Sequence, residues 1–113
     1  MKYKVMIVED QTMPRELFEL RVQSSEHFEV ALSIDNAALT DVYCLRFPVD
    51  LILMDVVTRG GESGLDAAER IKRAFPQIKI IIVTSMPECS YLSRAREIGV
   101  ESFWYKEEQR ESL

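Results

Sequence analysis

Asp55 closes the apolar run Leu51-Ile52-Leu53-Met54, and Glu9-Asp10 close a second such run, Val5 to Val8. Carboxylates gathered at one place repel, so a cluster of them needs a cation, a proton or abundant water. A divalent cation is the economical answer, because oxygen ligands suit a hard ion. Later in the chain Thr84-Ser85 follow the run Ile78 to Val83, and Lys106 follows Ser102 to Tyr105. Hydroxyls can donate to an anion and an ammonium can neutralise one. Together with the carboxylates they form a set suited to handling a phosphoryl group.

Such residues act together only if the chain brings them to one edge. Short unbroken apolar runs read as strands buried on both faces, the habit of parallel sheets covered by helices. Strands are expected at Lys4 to Val8, Phe28 to Ser33, Asp50 to Met54, Ile78 to Val83 and Ser102 to Tyr105. Between them lie four helical patterns. The first follows Pro14, with Leu17, Phe18 and Val22 inward. The second is capped by Asp35 or Asn36, with Ala38, Val42 and Leu45 as its buried spacing. The third is capped by Ser63 and carries Leu65, Ala68, Ile71 and Phe75, stopping at Pro76. The fourth opens at Pro87, buries Leu92, Ala95 and Ile98, and ends at Gly99.

Strict alternation of strand and helix predicts an α/β fold: a doubly wound, five-stranded parallel sheet of order 2-1-3-4-5 with helices on both faces, as in flavodoxin-like sheets. Strands one and three are then neighbours, and the site forms beyond the carboxyl ends of the strands, where Glu9, Asp10 and Asp55 converge. Only seven residues follow Lys106. The last helix is therefore read as missing or truncated, with the chain cut from a longer protein or packed against a partner at that edge.

The 113 residues make one domain, with 47% hydrophobic and 29% charged residues, an ordinary globular composition. No apolar stretch exceeds strand length, and Met1-Lys2-Tyr3-Lys4 leads straight into a strand rather than a signal sequence, so a cytoplasmic location without membrane contact is expected. Cys44 and Cys89 have neither CxxC spacing nor a histidine cluster, and read as reduced small hydrophobes. A net charge of −5 argues against nucleic-acid binding by this domain.

These residues resemble the receiver domain of bacterial two-component response regulators, the CheY-like family, over the whole chain. Glu9-Asp10 match its acidic pair, Asp55 its phosphoacceptor, Thr84 its switch hydroxyl, Phe103 its switch aromatic, and Lys106 its lysine. The resemblance implies Mg2+ held by Glu9, Asp10, Asp55 and the carbonyl of Val57. A sensor histidine kinase supplies the phosphoryl group to Asp55, Thr84 and Lys106 assist, and Thr84 and Phe103 switch the face of helix four and strand five. That face is also where a homodimer would form. The domain assists its own phosphotransfer and dephosphorylation without being an enzyme in its own right.

Departures from the family concentrate beside Asp55. Val56-Val57-Thr58-Arg59 lack the usual methionine-proline turn, and Gly64 comes nine residues on rather than eight. Lys106 is followed by Glu107 where many members have proline, which bears on the cis peptide they form there. LuxR-type DNA-binding regulators often lack that proline too. Phe28-Glu29-Val30 and Phe75-Pro76 also resemble that class, so a DNA-binding output domain is expected beyond residue 113. Val57 and Met86 occupy positions that shape phosphoaspartate hydrolysis in the family, and both are apolar, which predicts slow self-dephosphorylation.

Rival readings weaken on the same residues. A phosphatase resembling haloacid dehalogenases needs an aspartate where Val57 stands. A flavin-binding module would place Glu9-Asp10 against a phosphate. A receiver-like interaction domain that works without phosphorylation stays open through the altered loop. His27 reads as a surface residue, Gly60, Gly61 and Gly64 as a flexible loop, and Trp104 and Tyr105 as packing residues or as residues exposed at an output face.

Overall fold

The computed structural model describes residues 1–58, 61–85 and 89–106. The elements are β1 (Tyr3–Val8), α1 (Thr12–Gln23), β2 (Phe28–Ile34), a 3₁₀ turn (Ala37–Leu39) running into α2 (Thr40–Arg46), and β3 (Leu51–Asp55). There follow α3 (Gly64–Ala74), β4 (Lys79–Thr84), α4 (Cys89–Ile98) and β5 (Ser102–Tyr105). All strand pairs are parallel, in the order β2-β1-β3-β4-β5. This is the α/β arrangement expected from the sequence, as far as the described residues reach. Glu107 to Leu113, on which the reading of a missing last helix rests, lie outside them, as do Met86 and Pro87.

Alternate residues along each central strand serve opposite faces of the sheet. Met6 and Val8, Ile52 and Met54, and Ile80 and Ile82 join Leu65, Ala68 and Ile71 of α3 and Ala95 of α4 in the larger cluster. Val5, Ile7, Leu53 and Val83 form the smaller one, against Phe18 and Val22 of α1. Each fully buried Ile, Leu or Met contributes about 1.5–3 kcal/mol relative to an exposed one. The three central strands are thus fixed from both sides, and with them the residues at their ends.

The helix boundaries follow local chemistry. Ser63 Oγ accepts from the Leu65 amide at 3.1 Å, and Gly99 closes α4 at φ +89°, a conformation glycine adopts without penalty. α1 begins two residues before Pro14, which is tolerated because first-turn amides need no partner within the helix.

Two expected stripes are corrected. Leu17 points outward, 40% exposed, while Phe18 and Val22 supply the apolar contact of α1 with the sheet. Over the 3₁₀ turn and α2 the buried residues are Ala37 and Thr40, backed by Tyr43 and Cys44. Ala38, Val42 and Leu45 lie on the exposed side, Leu45 at 76%. The 3₁₀ turn winds three residues per turn and so shifts the inward face by one residue. Thr40 can sit inside because its hydroxyl donates to the Ala37 carbonyl at 2.6 Å. Burial pushes the Cys44 thiol up to about 11, an unreactive state in keeping with a packing role.

Candidate phosphoacceptor and cation site

The parallel register sets the site. Val8 lies opposite Met54, Asp55 opposite Val83 and Thr84 opposite Tyr105, so residues at or just past four strand ends share one edge. Glu9 and Asp55 are buried there, Thr84 is 1% exposed, and Asp10 is half-buried. Ligand oxygens of Glu9, Asp10 and Asp55 lie within 4.8 Å of one another. Lys106 reaches in from the end of β5, its backbone amide donating to the Thr84 carbonyl at 2.8 Å. Its ammonium donates to Asp55 Oδ2 at 3.2 Å and sits 2.7 Å from Glu9 Oε1.

The charges do not balance. Three carboxylates face one ammonium, which leaves negative charge in excess. Glu9 Oε2 accepts from the Gln11 amide at 3.1 Å, but buried Oε1 has no aligned hydrogen-bond donor despite its ion pair with Lys106. Burial and then the Glu9 charge push the Asp55 carboxyl up to about 6, against the pull of Lys106. Burial alone would lower Lys106, yet Glu9 and Asp55 outweigh it and hold the ammonium above its ordinary range. An oxygen-lined cluster of this kind could hold a hard divalent cation.

The loop after Asp55 is closed in an unexpected way. Val57 and Ser63 form an antiparallel bridge, and the Gly64 amide donates to the Val56 carbonyl at 2.7 Å. A Cβ at Gly64 would stand 1.9 Å from the Asp55 carbonyl oxygen, so only glycine fits where α3 meets the acceptor strand. The extra loop residue therefore does not displace that contact. The Val57 side chain is 61% exposed and apolar. Phe103 is half-buried against the larger core cluster, its ring 5.5 Å from that of Tyr105 in an edge-on arrangement, while Trp104 and Tyr105 are exposed rather than packed inside.

Sequence reasoning did not single out the groups that hold this loop. Thr58 is buried and its Oγ1 accepts from the Ala37 amide at 2.9 Å. Arg70 of α3 forms a two-pronged ion pair with Asp41 of α2 and also binds Glu62. Nothing local in the sequence marks either; both depend on α2 lying beside the loop. Among the described residues, no helix is long and apolar enough to cross a membrane.

Residues 5–113 match the response regulator receiver domain family. The Fimbriae Z protein of Escherichia coli K12 is 30% identical over 88% of this chain and 47% of its own length. The oxygen regulatory protein NreC of Staphylococcus epidermidis is 27% identical over 97% and 50%. The chain spans about half the length of the curated relatives it matches. Among solved structures, a LuxR-family DNA-binding response regulator from Staphylococcus aureus aligns with TM-score 0.85 and 25% identity over 98% of this chain and 92% of that one. A LuxR-family regulator from Aurantimonas sp. SI85-9A1 aligns at 0.86 and 19% identity, over 100% and 80%.

Proposed function

The chain belongs to the response regulator receiver domain family, and on that premise we propose that Asp55 accepts a phosphoryl group from a phosphohistidine of a sensor histidine kinase, in a magnesium-dependent reaction. The observation that carries this reading is the meeting of Glu9, Asp10, Asp55 and Lys106 at the strand ends. An all-oxygen donor set with excess negative charge and a buried, unaligned Glu9 Oε1 fits a hard divalent ion. Glu9, Asp10, Asp55 and the Val57 carbonyl would hold it. Bound magnesium supplies positive charge that offsets the acceptor and the incoming phosphoryl group.

The chain's own groups do the rest. An Asp55 carboxylate oxygen bonds to phosphorus as the phosphorus–nitrogen bond of the phosphohistidine breaks, and the leaving imidazole keeps the electron pair and takes a proton. Lys106, already beside Asp55, and the Thr84 hydroxyl donate to the phosphoryl oxygens. The transferred phosphoryl group carries about −1.5 to −2 charge into the site. Thr84 drawn toward it leaves room for Phe103 to turn inward, which repacks the α4 and β5 face where Trp104 and Tyr105 are exposed. That face is the proposed homodimer contact, and a LuxR-type DNA-binding domain beyond residue 113 the proposed output. The domain works in the cytoplasm and is not an independent enzyme.

Intact mass after incubation with magnesium and a small-molecule phosphodonor tests the reading. A gain of one phosphoryl group that chelator prevents is expected; no gain in either condition favours an interaction domain that works without phosphorylation. The phosphorylated state should also persist. The exposed, apolar Val57 cannot orient a water molecule, so Val57→Asn is expected to shorten the lifetime several-fold, and an unchanged decay would remove Val57 from the account.

A further inference from the structure

We propose that Thr58 is a positioning residue of the cation site, holding the Val57 carbonyl in place by anchoring the loop to the start of α2. This rests on the reading just given, because Val57 matters only if its carbonyl is a ligand. The carbonyl of Val57 belongs to the peptide that joins it to Thr58, so whatever fixes Thr58 fixes the direction of that oxygen. Thr58 is fixed firmly. It is 5% exposed, and its Oγ1 takes the amide of Ala37, itself fully buried.

The far end of that bond is equally rigid. Ala37 opens the 3₁₀ turn, Asn36 Oδ1 accepts from the next amide at 2.9 Å, and buried Thr40 donates back to the Ala37 carbonyl. The loop is tied to α2 a second time, through Glu62, Arg70 and Asp41. Side chains one step removed from a metal commonly set its affinity by holding the ligands in position. Valine at position 58 would keep the shape, remove the acceptor and leave the buried Ala37 amide unpaired. Serine would keep the acceptor.

Calorimetric titration with magnesium chloride tests this, without reference to phosphorylation. Thr58→Val is expected to weaken magnesium binding about 10-fold, with Thr58→Ser within about 2-fold of the parent chain. Asn36→Ala loosens the same turn but leaves the Thr58 bond, so its affinity should fall clearly less than that of Thr58→Val. If Thr58→Val does not fold, Arg70→Met, at a partly exposed ion pair, loosens the same loop and should weaken binding about 3-fold. Unchanged affinity in Thr58→Val, or in Arg70→Met where that variant stands in for it, overturns the proposal, as does an equal loss in Asn36→Ala. A parent chain that binds no magnesium overturns both this proposal and the reading beneath it, whereas a binding parent with an indifferent Thr58→Val overturns this proposal alone.

Discussion

In Asp55→Asn, the phosphoryl gain seen with magnesium and phosphodonor is expected to vanish entirely, while the metal-free protein becomes more stable. The amide keeps the shape of the side chain but has no anionic oxygen to bond to phosphorus. Removing this charge also relieves its burial and, after that, the repulsion by Glu9, which together raise Asp55 from 3.8 to about 6. A shift of that size corresponds to at most about 3 kcal/mol, and partial hydration of the site reduces the expected gain to about 1–2 kcal/mol. Lys106 keeps Glu9 as its partner at 2.7 Å, so the substitution does not strand a buried cation. Intact mass and thermal melting in chelator read the two effects. A phosphoryl gain that survives in Asp55→Asn would place the acceptor elsewhere, and a lower melting temperature would show that the carboxylates are not in net repulsion.

The second large effect is on pH. Because the folded state raises the Asp55 pKa, the protonated carboxyl contributes stability that is complete below its ordinary value of 3.8 and is lost as pH rises through about 6. The metal-free protein should therefore lose this contribution between about pH 4 and about pH 7, and Asp55→Asn should not. Magnesium affinity runs the other way. The ion needs the ionised carboxylate, so binding should be level above about pH 7 and weaken toward about tenfold per unit below pH 6. Calorimetric titrations across that range check the slope. Affinity that stays constant down to about pH 5 would mean that Asp55 is not among the groups the cation requires.

The strand ends were legible because buried parallel strands advertise themselves. Val5 to Val8 and Leu51 to Met54 are unbroken apolar runs, and the polar residue that ends each must lie at the sheet edge. The same attention to strand ends picks out Glu9, Asp10, Asp55, Thr84 and Lys106, which the parallel register brings to one edge. It did not work for α2, where Ala37-Thr40-Cys44 and Ala38-Val42-Leu45 both satisfy helical spacing, and a short 3₁₀ turn chose between them. A threonine inside satisfies its hydroxyl locally, and no pattern of apolar residues reports that. Thr58 was invisible for a related reason: its partner is the amide of Ala37, far away in sequence, and a backbone amide has no letter in the sequence.

The bridge between Val57 and Ser63 has a bearing on how this segment could vary. The Gly64 amide is bonded to the Val56 carbonyl and Gly64 lies against the Asp55 carbonyl, so the two feet of the loop are pinned to each other and to the acceptor strand. Added residues lengthen a noose already drawn shut, and doubling a flexible loop costs only about 0.6 kcal/mol. An insertion between these feet is therefore expected to leave the backbone of the acceptor aspartate where it is.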